Sequence, residues 1–150
     1  MFRDGGARLL VFGIGTERFA VALSAVDEVI DAPSVRPMPD SGSVVLGVTT
    51  VRGTLVTIYD LRPLLNVAGK ADDAALLVAR DDRRVGLAVG ALYETIIAEE
   101  GELRSAPGAD ASDKVLLGVI RRGSELIAIL DAAALLDAAT AASESQGERT

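Results

Sequence analysis

The sequence predicts a mainly β protein made of two related lobes, each a small barrel of short strands. Three observations support this class: an internal repeat, a series of short apolar runs separated by turns, and a length of 150 residues with 49% hydrophobic residues. A chain of this size can bury enough apolar surface for one compact unit. Closing each sheet into a barrel removes the exposed edges of its short strands.

The repeat consists of two ungapped matches. GVTTVRGTLVTIYDLRPLL at residues 47–65 matches GVIRRGSELIAILDAAALL at residues 118–136, with 118 − 47 = 71. Upstream, residues 18–30 match residues 84–96, with 84 − 18 = 66. The offset grows by 71 − 66 = 5 residues, which we place most simply in the Gly- and Pro-containing stretch 99–113.

Each half is predicted to begin with a hairpin of apolar strands around a polar turn, at residues 8–23 and 75–89. Arg83 and Arg84, next to the second turn, are interpreted as a solvated strand end. Short helices are predicted after each hairpin, at 24–28, where Ser24 is a candidate cap, and at the equivalent residues 90–94.

A proline-rich extended segment follows in the first half, and then strands 44–51 and 54–59 around the turn Arg52-Gly53. Asp60 and Asp131 hold equivalent positions at the start of predicted short helices, 61–66 and 132–139, and are assigned as caps. Leucines at matching places in these helices are expected to be buried: Leu64 and Leu135, Leu65 and Leu136. We therefore predict a single domain at 8–137, with halves at about 8–66 and 74–137, and a disordered tail at 138–150.

The composition excludes several kinds of chemistry. The chain has no cysteine and no histidine, so it lacks a thiol nucleophile and the commonest acid/base and metal ligand, and we expect no cofactor. A net charge of −7 opposes nucleic-acid binding. No apolar run is long enough to cross a membrane and no signal peptide is evident, so a cytoplasmic protein without direct membrane insertion is expected.

Four segments in order resemble the CheW family of chemotaxis coupling proteins. They are FAVAL at 19–23, VDEV at 26–29, RPMP at 36–39 and GVTTVRGTLVTIYDLR at 47–62, and the resemblance extends over about residues 8–137. It implies two intertwined five-stranded SH3-like barrels without catalytic activity. It also implies simultaneous binding to the regulatory domain of a CheA-type histidine kinase and to the cytoplasmic tip of methyl-accepting chemoreceptors, in arrays at the inner membrane.

The resemblance also implies roles for five residues. Gly47 and Arg52 match the receptor-facing side, where a groove between the lobes is expected to take the receptor helices; Val26, Glu28 and Val29 match the segment that contacts the kinase. Each residue has a structural alternative: a bulge for Gly47, a solvated turn for Arg52, one face of a helix for the two valines, and a repeat position shared with Glu94 for Glu28. The Arg52 role is not transferred to residues 121–123, which are one residue out of register.

Two other functions remain open from the residues alone. One is a CheW-like scaffold in a histidine-kinase pathway for motility or gene regulation. The other is a small β-barrel hydrolase that uses Asp60 and Asp131 as paired carboxylates, which glycoside chemistry would require to lie about 5 to 9.5 Å apart.

Overall fold

A computed structural model describes residues 6–38, 44–105 and 114–147. In these ranges the chain forms ten strands and two α-helices. The strands are β1 (Ala7–Ile14), β2 (Glu17–Ala22), β3 (Val26–Asp31), β4 (Val45–Val51), β5 (Thr54–Asp60), β6 (Ala74–Arg80), β7 (Arg83–Val89), β8 (Leu92–Ala98), β9 (Leu116–Arg122) and β10 (Glu125–Leu130). The helices are α1 (Arg62–Leu65) and α2 (Ala132–Gly147).

The strands form two five-stranded sheets with the same internal order. The first lobe is the sheet β8-β1-β2-β10-β9, and the second lobe is the sheet β3-β6-β7-β5-β4. In the repeat, β1 to β5 are the counterparts of β6 to β10. Replacing each strand of one sheet by its counterpart gives the strand order of the other sheet. The predicted class is confirmed, and the halves are intertwined because the hairpin β1-β2 completes the lobe formed mainly by the second half.

Each sheet curls into a barrel. The barrel is closed by the residues that follow one edge strand, which bond to the strand at the opposite edge of the same sheet. Arg36, beyond β3, exchanges backbone hydrogen bonds of 2.8 and 2.9 Å with Val48 of β4. Arg104, beyond β8, makes the same exchange with Val119 of β9, with both bonds 2.8 Å long. Since 104 − 36 = 68, two of the five extra residues precede Arg104, and the other three follow it in a stretch that includes residues 106–113, outside the described ranges.

Three apolar clusters hold the lobes together. One fills the interior of each barrel, and the largest lies between the two sheets. In the largest cluster, Phe12 and Phe19 stack with ring centroids 5.9 Å apart. They share this cluster with Leu76, Leu87 and Leu135, so the contact between the lobes is continuous hydrophobic core.

The short helices predicted at 24–28 and 90–94 are wrong. Only Leu23–Ala25 forms a single 3₁₀ turn, and the chain then continues as β3; the second segment enters β8. Both strands are rich in β-branched residues and pair along a neighbour, β3 with β6 and β8 with β1. Pairing with a neighbouring strand outweighs a local capping signal.

Both acids lie at the start of a helix, but only Asp131 directly precedes its helix; the N-cap residue of α1 is Leu61, and Asp60 lies one residue before it. Asp60 accepts a hydrogen bond of 3.0 Å from the backbone N–H of Arg62 and two of 2.9 Å from its guanidinium. Asp131 accepts one of 3.2 Å from the backbone N–H of Ala134. The carboxylates thereby satisfy backbone donors in the first turn of each helix.

The two helices differ in length, which changes the burial of the paired leucines. α1 ends at Leu65, and the next residue, Asn66, has a left-handed backbone with φ 55°. Leu135 and Leu136 are buried as expected, whereas Leu64 and Leu65 are only half-buried against the same cluster.

The tail expected to be disordered from residue 138 is instead largely helical, because α2 continues to Gly147. Ala139 is fully buried in the cluster between the lobes, and Ala142 packs against it. An alanine-rich segment has high helix propensity, so two such contacts are enough to extend the helix. Residues 148–150 lie outside the described ranges.

Candidate functional site

All five residues to which the sequence assigns a binding role lie in the second lobe. Val26, Glu28 and Val29 are on β3, Gly47 is on β4, and Arg52 lies in the turn between β4 and β5. The structure divides them differently from the sequence prediction, because β3 is not a helix and because it contains a bulge.

The bulge puts the two valines on one face of β3 and Glu28 on the other. Val26 and Val29 lie opposite Val78 and Leu76 of β6, whose side chains belong to the cluster between the lobes. Glu28 lies opposite Leu77, which belongs to the barrel interior, and the register shifts between Val26 and Glu28. Cross-strand partners share a face, so three residues predicted as one patch form two surfaces.

Glu28 forms a charged corner with Arg52 and Arg84. Arg52 donates from Nη1 to Glu28 Oε2 at 2.8 Å, and its Nη2 forms a second bond to Glu28 Oε1. Arg84 of β7 donates from Nη1 to the same Oε1 at 3.2 Å. The two predicted sites therefore meet: the residue assigned to the receptor and one assigned to the kinase are bonded to each other.

Arg84 is the residue that the sequence interpretation missed. The interpretation of Arg84 as part of a solvated strand end is wrong, because Arg84 on β7 bonds Glu28 on β3, across the strand β6 that lies between them. Residues 28 and 84 are 56 positions apart, and the only sequence signal was the alignment of Arg84 with Arg18 in the repeat. Arg18 instead pairs with Glu125 at 3.3 Å, so the repeat keeps an arginine here but changes its partner.

Arg52 occupies a backbone conformation that favours glycine. Its φ is 49° and that of Gly53 is 83°, and two positive values between paired residues Val51 and Thr54 are typical of a type I′ hairpin turn. The equivalent position in the second half, 52 + 71 = 123, is Gly123 with φ 62°. The geometry of the turn does not require an arginine, so we infer that Arg52 has a role other than forming the turn.

The ion pairs at the corner change the acidity of Glu28. Hydrogen bonding from Arg52, and more weakly from Arg84, lowers the pKa of Glu28 from 4.5 to about 2 against the opposing effect of desolvation. The same bond raises the pKa of Arg52. Glu28 and Arg52 are therefore both charged throughout the physiological range.

This lowered pKa predicts a loss of stability in acid. Because the folded protein binds the Glu28 proton less readily than the unfolded chain, the contribution is complete above about pH 4.5 and is lost as the pH falls towards 2. The free energy of unfolding is measured by urea denaturation between pH 6 and pH 2.5. At pH 6 it should be lower for Glu28→Gln than for the wild type. The difference should shrink in acid, and a constant difference would contradict the assignment.

Gly47 is buried beneath the chain's own backbone. A Cβ at this position would overlap the carbonyl oxygen of Arg36 and lie 2.7 Å from its carbonyl carbon and 2.9 Å from the Cα of Pro37. The equivalent Gly118 has the same relation to Arg104, with a Cβ to carbonyl oxygen distance of 2.5 Å. Gly47 thus permits a close approach, as expected, but the approaching segment is the chain's own residues 36–37.

The valine face and the expected groove lie on the other side of β3. Val29 is 39% exposed, whereas Val26 is partly buried against the cluster between the lobes. A groove of about 400 Å³ between the start of α2 and the edge of the second lobe is walled by small residues, including Ala25, Ala79 and Ala132. Gly47 and Arg52 do not line this groove, so the structure separates the two features that the sequence prediction combined.

The paired-carboxylate alternative finds no support in the site geometry. Asp60 is held by its ion pair with Arg62 at 2.9 Å, and Asp131 caps α2. Across the described residues, no group of three histidine, cysteine, aspartate or glutamate side chains is placed to hold a metal ion. Neither helix in the described part of the chain is long and apolar enough to cross a membrane.

Comparisons with known proteins agree with this architecture. The family model of the CheW-like domain matches residues 8–140. The chain is 26% identical over 133 residues to the chemotaxis protein CheW of Rhizobium meliloti (strain 1021), covering 85% of this chain and 86% of that protein. It is 25% identical over 137 residues to the chemotaxis protein CheW of Bacillus subtilis (strain 168), covering 88% of each.

The fold is shared with a solved structure. The scaffolding protein TtCheW from Thermoanaerobacter tengcongensis superimposes with a TM-score of 0.71 at 22% identity, over 83% of this chain and 88% of that one. The match of the family model covers nearly all of the described chain, including β3 and the turn that carries Arg52. The chain belongs to the CheW-like domain family.

Proposed function

We propose that the protein is a non-catalytic chemotaxis adaptor that couples methyl-accepting chemoreceptors to a CheA-type histidine kinase. Membership of the family supports a chemotaxis coupling or scaffold protein. The observation that carries the finer proposal is that β3 presents an apolar surface on one face and a charged corner on the other. An adaptor needs two distinct surfaces and no reactive group.

The apolar surface is the proposed kinase site. Val29 is exposed on an edge strand, and Val26 lies on the same face. Among the described residues β3 pairs with β6 alone, and an aliphatic patch beside its outer edge suits the regulatory domain of the kinase, because apolar contacts and backbone hydrogen bonds can form together. Glu28, which the resemblance assigned to this surface, contributes indirectly by fixing the edge strand to Arg52 and Arg84.

The charged corner is the proposed receptor site. Arg52 is 65% exposed in its side chain, and two of its five N–H donors are used by Glu28. The remaining donors can reach carboxylates or carbonyls on the tip of a receptor helix hairpin. Gly47 supports this site by allowing residues 36–37 to pack closely against β4. We place the complex on the cytoplasmic side of the membrane, where receptor tips lie.

The kinase half of the proposal is tested by Val29→Glu. A charge placed within an apolar interface is expected to weaken binding to the isolated kinase regulatory domain by about thirtyfold, from a micromolar starting affinity, through loss of roughly 2 kcal/mol. Isothermal titration measures the affinity. Val26→Glu is a poorer probe, because Val26 packs against the core and the substitution would also destabilise the fold.

Leu117→Glu is the matched control, since Leu117 is 40% exposed and lies in the other lobe. It should bind the regulatory domain with wild-type affinity. If Val29→Glu also binds normally, the valine face is not the kinase site. If the kinase binds but no receptor-tip fragment does, the adaptor acts in another histidine-kinase pathway.

A further inference from the structure

A separate groove, which we call the first-lobe groove, lies between the strands β2, β9 and β10 of the first lobe and the helix α1, which follows β5. Its volume is about 690 Å³. It contains none of the residues of the charged corner or of the valine face. Its apolar lining includes Phe19, Leu64, Leu65, Leu116, Leu126 and Ala128.

The repeat supplies a counterpart on the second lobe. Arg18 and Phe19 of the first-lobe groove correspond to Arg84 and Val85, and Leu126 corresponds to Leu55, since 126 − 55 = 71. Those counterparts line a groove of about 540 Å³ on the second lobe. One wall of this second groove is formed by Thr140 and Ser143 of α2.

On the matching side of the first-lobe groove there is only the short helix α1. α1 ends at Leu65, and Asn66, with φ 55°, turns the chain away. In α2 the matching point is residue 65 + 71 = 136, and the helix continues to Gly147. Among the described residues, the part of α2 beyond Leu136 has no helical counterpart, and none of them takes its place along the first-lobe groove.

The surface left open is about equally apolar and polar, and part of its rim is acidic. Leu126 is 62% exposed, and Leu64 and Leu65 are half-buried. At the rim, Arg18 is paired with Glu125 at 3.3 Å and covers the ring of Tyr93 at 3.9 Å. Glu17 is exposed beside this pair, so the rim carries one net negative charge from these groups.

We propose that the first-lobe groove binds an amphipathic helix of a partner protein, in the place that the second half of α2 takes on the other lobe. On that lobe Ala139 is fully buried and Ala142 packs against the core, so small residues at i and i+3 permit close contact. The occupant therefore has small aliphatic residues at this spacing and lysine or arginine on the flank that faces Glu17. This site is independent of the proposed kinase and receptor surfaces.

The probe is a synthetic peptide of residues 132–147 that carries lysine in place of Asp137 and Glu144. Titration into the full chain labelled with ¹⁵N should shift the amide signals of Leu64, Leu116 and Leu126 saturably, with a Kd on the order of 100 µM because a short free helix is marginally stable. The peptide with the natural acids should bind severalfold more weakly. Absence of saturable shifts up to about 1 mM would overturn the proposal.

Leu126→Lys should weaken the peptide at least tenfold. Leu55→Lys is the matched control, because Leu55 holds the equivalent position, is 70% exposed and faces the groove that α2 already walls. It should leave the affinity unchanged, and both variants should melt as the wild type does, since both leucines are exposed. Equal losses in the two variants, or shifts at Thr140 and Leu55, would show that the peptide displaces α2 and would overturn the assignment. If the wild type forms a dimer and Leu126→Lys dissociates this dimer, the occupant of the groove is a second copy of the chain, which would also overturn the proposal.

Discussion

Arg52→Glu is expected to abolish binding to a receptor-tip fragment and to leave binding to the kinase regulatory domain unchanged. The substitution removes the donors offered to receptor carboxylates or carbonyls and places a like charge where those groups would dock. Reversing a charge at the centre of a small interface should weaken it more than about 100-fold, which puts a micromolar complex beyond detection. The kinase face lies on the other side of β3 and is not touched by the change.

The fold should survive this substitution. Arg52 is 65% exposed in its side chain, so loss of its ion pair with Glu28 should lower the stability only modestly. Arg84 also remains bonded to Glu28. Melting curves and two parallel titrations, one with the receptor fragment and one with the kinase domain, measure the three outcomes. Arg83→Glu is the matched control, because Arg83 is an exposed hairpin arginine of the same lobe and should bind both partners normally.

A charge swap separates receptor contact from support of the corner. Glu28→Arg combined with Arg52→Glu keeps an ion pair at the corner with its polarity reversed. If Arg52 contacts the receptor itself, the double variant should remain unable to bind. Recovery of receptor binding would show that only the ion pair matters and that Arg52 acts by holding β3 and the turn in position.

The features that the sequence predicted correctly depend on neighbouring residues or occur in both halves of the repeat. The hairpins consist of apolar runs on either side of short polar turns, and the first hairpin has a second copy in the repeat. Asp60 and Asp131 each accept a hydrogen bond from a backbone N–H two or three residues further on, and both are visible in the sequence as acids at the end of an apolar strand. The family motif joins such local patterns over residues 47–62, which is why the fold could be assigned before any contact was known.

The features that it missed depend on contacts between distant parts of the chain. β3 and β8 carry helix-capping signals but are strands because β6 and β1 lie beside them. The bulge that separates Glu28 from the two valines exists only in the pairing with β6. The bond from Arg84 to Glu28 requires β6 to pair with β3 on one side and with β7 on the other, which no spacing in the sequence reveals. The helix beyond residue 138 depends on the burial of Ala139 between the lobes.

Gly47→Ala is expected to destabilise the protein strongly, although it adds one methyl group. The new Cβ would overlap the backbone carbonyl of Arg36. This carbonyl accepts a hydrogen bond from the N–H of Val48, and the N–H of Arg36 donates one to the carbonyl of Val48, so the segment is held in place. Backbone atoms cannot rotate away as a flexible side chain can, so either the barrel closure opens or β4 shifts. We expect the free energy of unfolding, measured by urea denaturation, to fall by about 3 kcal/mol or more. Gly118→Ala should cost a similar amount at the matching closure of the first lobe.

Gly101→Ala is the control for both substitutions, because a Cβ at Gly101 meets no atom within 4 Å and its backbone is not left-handed. Its stability should stay within about 0.5 kcal/mol of the wild type. In Gly47→Ala, receptor affinity should fall together with stability, since residues 36–37 and the turn carrying Arg52 are both attached to β4. A Gly47→Ala variant with wild-type stability but no receptor binding would contradict this account. The receptor would then contact the surface at Gly47 directly, and Gly47 would not act by supporting residues 36–37.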